Sequence, residues 1–135
     1  MPGVVSALAL TIALSSHAAG AQVQIAVRAT YDMQCGWPGP RIEVVLPSAE
    51  RLPARITRTS VLVDGKPPAA VARSGQTVSL TIVRPSGAMC DVIGPGVARI
   101  VFTHAAHIGN PGRTGRYRLS VRHGSEAVSG AFSIR

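Results

Sequence analysis

Short runs in which apolar and polar residues alternate recur along most of this chain, and they constrain its fold more than any other feature. The clearest is TVSLTIV at 77–83, where Val78, Leu80 and Ile82 share one face of an extended strand. The other runs with this period of two are 22–27, 41–46, 60–65, 69–73, 97–102, 116–121 and 127–134. Proline- and glycine-rich segments separate them, as turns require. The pattern predicts an all-β protein, an antiparallel immunoglobulin-like β-sandwich of seven or eight strands.

The first 21 residues have the composition of a secretory signal peptide. Residues 4–14 are uncharged and apolar or small, and Ala19-Gly20-Ala21 fits the small-x-small rule for cleavage before Gln22. A membrane anchor is the alternative, but this run would make only roughly 16 Å of helix against a hydrocarbon core of roughly 30 Å. We therefore predict a signal peptide at 1–21 and one folded domain at 22–135, without a membrane span after cleavage. The location that this implies is secreted, periplasmic or cell-envelope.

The chain has two cysteines, Cys35 and Cys90. In an exported protein an even pair predicts one structural disulfide, which would stabilise the domain by roughly 4 kcal/mol. A catalytic or metal-binding role would require a neighbouring His or second Cys, and neither cysteine has one nearby in the sequence. Trp37, beside Cys35, is expected either to pack over the disulfide or to be an exposed binding anchor.

The chain is strongly basic, with a net charge of +8, and Lys66 is its only lysine. This charge indicates either a polyanionic partner or a compositional bias towards arginine. In RYRLSVR, Arg116, Arg118 and Arg122 alternate with apolar residues and so should point away from the core, as a candidate patch for carboxylates or phosphates or as a solvated strand face. With two Phe, two Tyr and one Trp, the chain lacks the interleaved aromatics of single-strand nucleic-acid binders. The predicted partner is an anionic cell-envelope polymer or another secreted protein, and not a nucleic acid.

No motif of catalysis or cofactor binding is present. The glycines of HIGNPGRTGRYRLSV at 107–121 match neither the phosphate-loop nor the dinucleotide pattern, and an alternating strand follows them instead of a helix. No nucleophile–His–carboxylate set can be placed either, so we predict that the protein is not an enzyme and has no cofactor. The weak candidates for a metal site are His104, His107 and His123, of which the first two have i, i+3 spacing.

Five motifs follow one another within residues 41–135, namely RIEVVLP, SVLVDG, SGQTVSLTI, HIGNPGRTGRYRLSV and VSGAFSIR. The fourth is the most specific, with matching residues at Ile108, Asn110, Pro111, Gly115, Tyr117, Leu119 and Val121. Together they resemble the immunoglobulin-like domains of bacterial and archaeal cell-surface and S-layer-associated proteins. Leu46 and Asp64 depart from the family pattern, which has Phe and Asn there. The resemblance implies a secreted structural or adhesive module with no catalytic residues.

The C-terminal end is also similar to that of the CopC-like periplasmic copper carriers, which are small secreted β-sandwiches. The matching residues are Gly115, Tyr117, Val128, Ser129, Gly130 and Phe132. The copper-binding His of that motif falls at Glu126 in this chain, and the expected N-terminal His is absent after the predicted cleavage. A periplasmic copper or metal carrier is therefore the alternative function.

Overall fold

A computed structural model describes residues 9–33, 39–82, 94–124 and 126–135. Its strands are β1 (Ala9–Leu14), β2 (Gln22–Val23), β3 (Ile25–Met33), β4 (Arg41–Val45), β5 (Val61–Val63), β6 (Ala70–Ser74), β7 (Thr77–Thr81), β8 (Gly94–Phe102), β9 (Ile108–Gly109), β10 (Gly115–His123) and β11 (Glu126–Ile134). Two single-turn 3-10 helices lie at Arg58–Ser60 and His104–Ala106. No helix in these ranges has the length and apolar character that crossing a membrane requires.

The strands form two antiparallel sheets that face each other, with strand orders β1-β3-β8-β5 and β11-β10-β4-β7-β6, and a small β2-β9 pair. The prediction of an antiparallel β-sandwich is confirmed, and each of the eight predicted runs contains or overlaps a strand. The described residues contain eleven strands, more than the seven or eight predicted, because β1 has the composition of a signal peptide and because β2 and β9 are only two residues long.

The core consists of the inward-facing residues of both sheets, as the period of two predicts. In the four-stranded sheet, Ile25 lies opposite Phe102 and both are buried. In the five-stranded sheet, Val44 of β4 lies opposite both Val78 of β7 and Val121 of β10, and all three are buried. The outward positions of these strands face solvent, so they can carry charged side chains such as the arginines of β10.

Strand β1 is an integral part of this sandwich. It pairs with β3 along its whole length, from Ala9 opposite Thr30 to Leu14 opposite Ile25. On its other side it lies against β11, where a Cβ added to Gly130 would come within 2.5 Å of the main-chain oxygen of Leu10. Strand β1 therefore packs in the same sandwich as the strands of the domain predicted at 22–135. Cleavage before Gln22 is a separate question and stays a prediction.

The Asn110-Pro111 pair holds the chain that follows β1. The buried Asn110 donates from Nδ2 to the main-chain oxygens of Ser16 and Ala18, each at 2.9 Å. The main-chain N of Gly20 donates to the carbonyl of Pro111 at 3.0 Å. The motif that carries the family resemblance thus connects the loop before β10 to the N-terminal segment.

Replacing Asn110 with Ala should destabilise the domain by about 2 kcal/mol, because two buried hydrogen bonds are lost and two carbonyls lose a donor. Urea denaturation measures the global loss. Hydrogen exchange adds a local test. The Asn110→Ala substitution should accelerate exchange of the Gly20 amide, and it should accelerate exchange of the amide of the core residue Ile100 by a smaller factor. Equal acceleration at the two sites would contradict the clamping role.

Cys35, Cys90 and Trp37 lie outside the described residues, so the disulfide stays a prediction. The described residues that flank the two cysteine-containing segments meet at one end of the sandwich. Met33 lies opposite Gly94 in the β3–β8 pair. The main-chain N of Ile82 donates to the carbonyl of Pro40 at 2.7 Å. The described residues on either side of both segments therefore lie at the same end of the sandwich, as a disulfide between the segments requires.

Candidate anion-binding face

The three arginines predicted to form a patch lie on the outward face of β10. Arg116, Arg118 and Arg122 are all exposed, while Leu119 and Val121 between them are buried. Residues two apart in a strand are separated by about 7 Å, so Arg116 and Arg118 lie about that far apart and Arg122 lies about 13 Å beyond Arg118. The structure brings these three side chains to one surface, as the alternation predicts. Their binding of an anion stays a prediction.

Strand β4 adds a fourth arginine and a carboxylate to this face. Arg122 lies opposite Glu43 in the β4–β10 pair, and its Nη2 is 3.5 Å from Glu43 Oε2. The two side chains are 50% and 31% exposed, so this ion pair contributes at most about 1 kcal/mol to stability. Arg41, two residues before Glu43, is exposed on the same face. Among the described strand residues of this face, Glu43 is the one acidic side chain, so the face carries an excess of positive charge.

The other residues of this face have short side chains. They are Ala127, Ser129, Ala131 and Ser133 on β11, Ser120 on β10, Val45 on β4, Thr77, Ser79 and Thr81 on β7, and Ala70, Ala72 and Ser74 on β6. Arg118 Nη2 donates to Ser129 Oγ at 2.9 Å, which orients this guanidinium along the sheet. Because no large side chain stands between the arginines, an extended anion can approach several guanidiniums together and also reach hydroxyl groups. A depression of about 190 Å³ lies on this face beside Arg41, Glu43 and Arg122.

The three candidate histidines do not come together. His104 and His107 are exposed at the end of the sandwich to which β4 runs, since Gly109 exchanges main-chain hydrogen bonds with Arg51 there. His123 lies opposite Ile42, at the start of β4 and therefore at the other end. Three histidines in this arrangement cannot coordinate one ion. In the described ranges no group of three or more His, Cys, Asp or Glu side chains is placed to hold a metal.

His123 is buried and contacts the main chain, as is typical of a histidine with a structural role. It is 4% exposed, and its Nε2 lies 2.8 Å from the main-chain oxygen of Gly39. Burial lowers the pKa of His123, an effect that the hydrogen bond to Gly39 and the charge of Asp64 partly oppose. Glu126, at the position of the copper-binding His in the CopC-like motif, is half-buried at the start of β11. The copper-carrier alternative therefore lacks a ligand set built from the residues predicted for it.

Glu50 is an unusual group that sequence reasoning missed. It lies in the turn after β4, is 4% exposed, and neither of its carboxylate oxygens has a hydrogen-bond partner in the described residues. Burial raises the pKa of Glu50 from 4.5 to about 7. An acidic residue between Ala49 and Arg51 in a turn-forming segment gives no sequence signal of burial.

Comparisons with known proteins support the fold. No protein-family model matches the sequence, and no curated protein sequence matches it. Among solved structures, the chain is similar to BslA, described as a bacterial hydrophobin, with a TM-score of 0.58 and 17% identity over 93% of this chain and 94% of BslA. A non-cellulosomal cohesin from the hyperthermophilic archaeon Archaeoglobus fulgidus gives a TM-score of 0.46 and 14% identity over 94% of this chain and 91% of the cohesin. At this identity, the likeness to BslA shows a common β-sandwich fold and does not extend to activity.

Proposed function

We propose that this protein is a secreted, non-enzymatic immunoglobulin-like module that adheres to an anionic polymer of the cell envelope. The observation that carries the proposal is the set of exposed guanidiniums of Arg116, Arg118 and Arg122 on one sheet face. Neither Arg116 nor Arg118 has an ion-pair partner among the described residues. Their charge is therefore available to an external anion.

The shape of the face favours a polymer over a small molecule. Its guanidiniums extend along β10 over about 20 Å, so one small anion contacts at most a few of them. A chain with repeated carboxylates or phosphates can contact all of them, and each contact displaces counterions from the polymer. Adhesion through such a face is the sum of several weak, salt-sensitive interactions.

The test compares a triple variant with a control of equal charge change. Arg116→Ser/Arg118→Ser/Arg122→Ser removes the patch, while Arg51→Ser/Arg55→Ser/Arg113→Ser removes three exposed arginines elsewhere. The probes are bead-coupled polygalacturonate and polyphosphate, which supply repeated carboxylates and phosphates. The patch variant should bind at least about tenfold more weakly than the wild type and elute at lower NaCl, with a smaller change in the control.

Two results would argue against the proposal. If both triple variants lose equal affinity, net charge alone drives retention and the face has no special role. If the patch variant elutes with the wild type, the polymer binds elsewhere or not at all. The chemistry of the polymer follows from the two probes, since a carboxylate-specific or phosphate-specific loss identifies the preferred anion.

A further inference from the structure

The outward face of the four-stranded sheet, on the opposite side of the sandwich, has a different composition. Arg28 of β3 and Arg99 of β8 are exposed and lie directly opposite each other in the antiparallel pair. Like charges at directly opposite positions are unfavourable, since their Cβ atoms are about 5 Å apart. In the described part of the chain neither guanidinium has an ion-pair partner. The nearby Asp64 accepts from the main-chain N of Arg99 through Oδ1, at 3.0 Å.

An apolar row crosses the same face next to this arginine pair. Ala13, Ala26, Val101 and Leu62 are consecutive partners across β1, β3, β8 and β5. All four point outward, and none is fully buried. The row spans about 14 Å, the width of four strands. A depression of about 260 Å³ joins it to the arginines and is lined by Thr11, Ala13, Ala26, Arg28, Arg99 and Val101.

We propose that this face docks on a lipid surface that contains anionic phospholipid. A phosphate between Arg28 and Arg99 would accept hydrogen bonds from both guanidiniums and would relieve their mutual repulsion. The apolar row beside them would contact the acyl boundary, which a soluble polyanion does not offer. Among its described residues the outward face of the five-stranded sheet has no such row, so the two faces suit different partners.

The two faces lie on opposite sides of the sandwich. The lipid-docking face adds a second partner to the proposed function, on which this inference rests. A domain that holds an anionic polymer on one side and an anionic membrane on the other is a tether between wall material and membrane. The apolar row includes Ala13, so the complete docking face requires β1 to be present in the folded protein.

Co-sedimentation with vesicles tests the docking face. The probe is a vesicle of 30% phosphatidylglycerol in phosphatidylcholine, with pure phosphatidylcholine as the uncharged comparison. The full chain should bind the anionic vesicles and not the neutral ones. Arg28→Ser/Arg99→Ser should weaken this binding at least about tenfold, whereas Arg51→Ser/Arg55→Ser, with the same charge change, should weaken it much less. Val101→Thr, which keeps shape and charge, should weaken it roughly threefold through lost apolar contact.

Several outcomes would overturn the inference. They are absence of binding to anionic vesicles, equal losses in the two double-arginine variants, and an unchanged affinity in Val101→Thr. If Arg28→Ser/Arg99→Ser lowers retention on polyphosphate as much as binding to vesicles, this face binds polyanions in general and the lipid assignment is wrong. The polymer-patch variant separates the two proposals, because Arg116→Ser/Arg118→Ser/Arg122→Ser should lose polymer retention and keep most vesicle binding. Failure of only one assay refutes only the corresponding proposal.

Discussion

A chain that begins at Gln22 should be less stable than the full chain by at least about 4 kcal/mol, and this is the largest effect we expect. The truncation removes β1, with the buried Leu10 and the partly buried Ile12 and Leu14 on its inward side. Each such side chain contributes about 1.5–3 kcal/mol when fully buried, and ordering the segment offsets part of that gain. Asn110 also loses both acceptors of its Nδ2 group, which adds about 1–3 kcal/mol.

Urea denaturation followed by circular dichroism measures this difference. The matched control is a chain of residues 9–135, which keeps every contact described above. Typical domains have a total stability of about 5–15 kcal/mol, so the 22–135 chain should be partly unfolded at room temperature or should melt far below the control. A 22–135 chain as stable as the control would show that β1 is dispensable, and cleavage before Gln22 would then be compatible with the folded domain.

The N-terminal segment illustrates how two sequence signals can coincide. An uncharged apolar run is typical of a signal peptide, but ALTIAL at 9–14 also alternates with a period of two. Strand β1 follows that alternation, since its inward side chains are Leu10, Ile12 and Leu14 and its outward side chains are Ala9, Thr11 and Ala13. The intact mass of the protein isolated from its producing cell distinguishes retention of residues 9–21 from their removal.

The strands were predictable from sequence because a strand with one buried face carries apolar residues at every second position. Val78 and Leu80 of β7 are fully buried, and the run TVSLTIV predicts that arrangement without knowledge of any partner strand. The outward direction of Arg116, Arg118 and Arg122 followed from the same rule. Local alternation therefore predicts which side chains of each strand lie in the core and which point outward.

Features that depend on the pairing of distant strands could not be predicted in this way. Arg28 and Arg99 become neighbours because β3 pairs with β8 in one particular register, and neither residue signals this locally. The separation of His123 from His104 and His107 likewise follows from the course of β4 and β10 through the sandwich. The burial of Glu50 depends on the path of the turn after β4, which a single sequence leaves open.

Replacing Glu50 with Gln should stabilise the domain above neutral pH by up to about 3 kcal/mol. Burial raises the pKa of Glu50 from 4.5 to about 7, so the folded state binds the proton more tightly than the unfolded state does. The stabilising effect of this proton is complete below pH 4.5 and is lost as the pH rises through 7, at about 1.4 kcal/mol for each unit of pKa difference. Glu50→Gln, which is neutral at every pH, should therefore match the wild type near pH 4.5 and exceed it at pH 8.

Urea denaturation of both proteins between pH 4.5 and pH 8 measures the difference, and the shape of its pH dependence is the decisive observation. Burial also lowers the pKa of His123, but His123 is present in both proteins, so its contribution cancels in the difference. Glu43→Gln is the matched control, since Glu43 is partly exposed and lies 3.5 Å from Arg122, so its replacement should not stabilise the domain at pH 8. A constant difference between Glu50→Gln and wild type across the range would mean that the Glu50 carboxyl is solvated in the folded protein. A difference that grows from pH 4.5 to about 7 and then levels off would mean that the Glu50 carboxyl is buried in the folded protein and that its ionisation destabilises the domain.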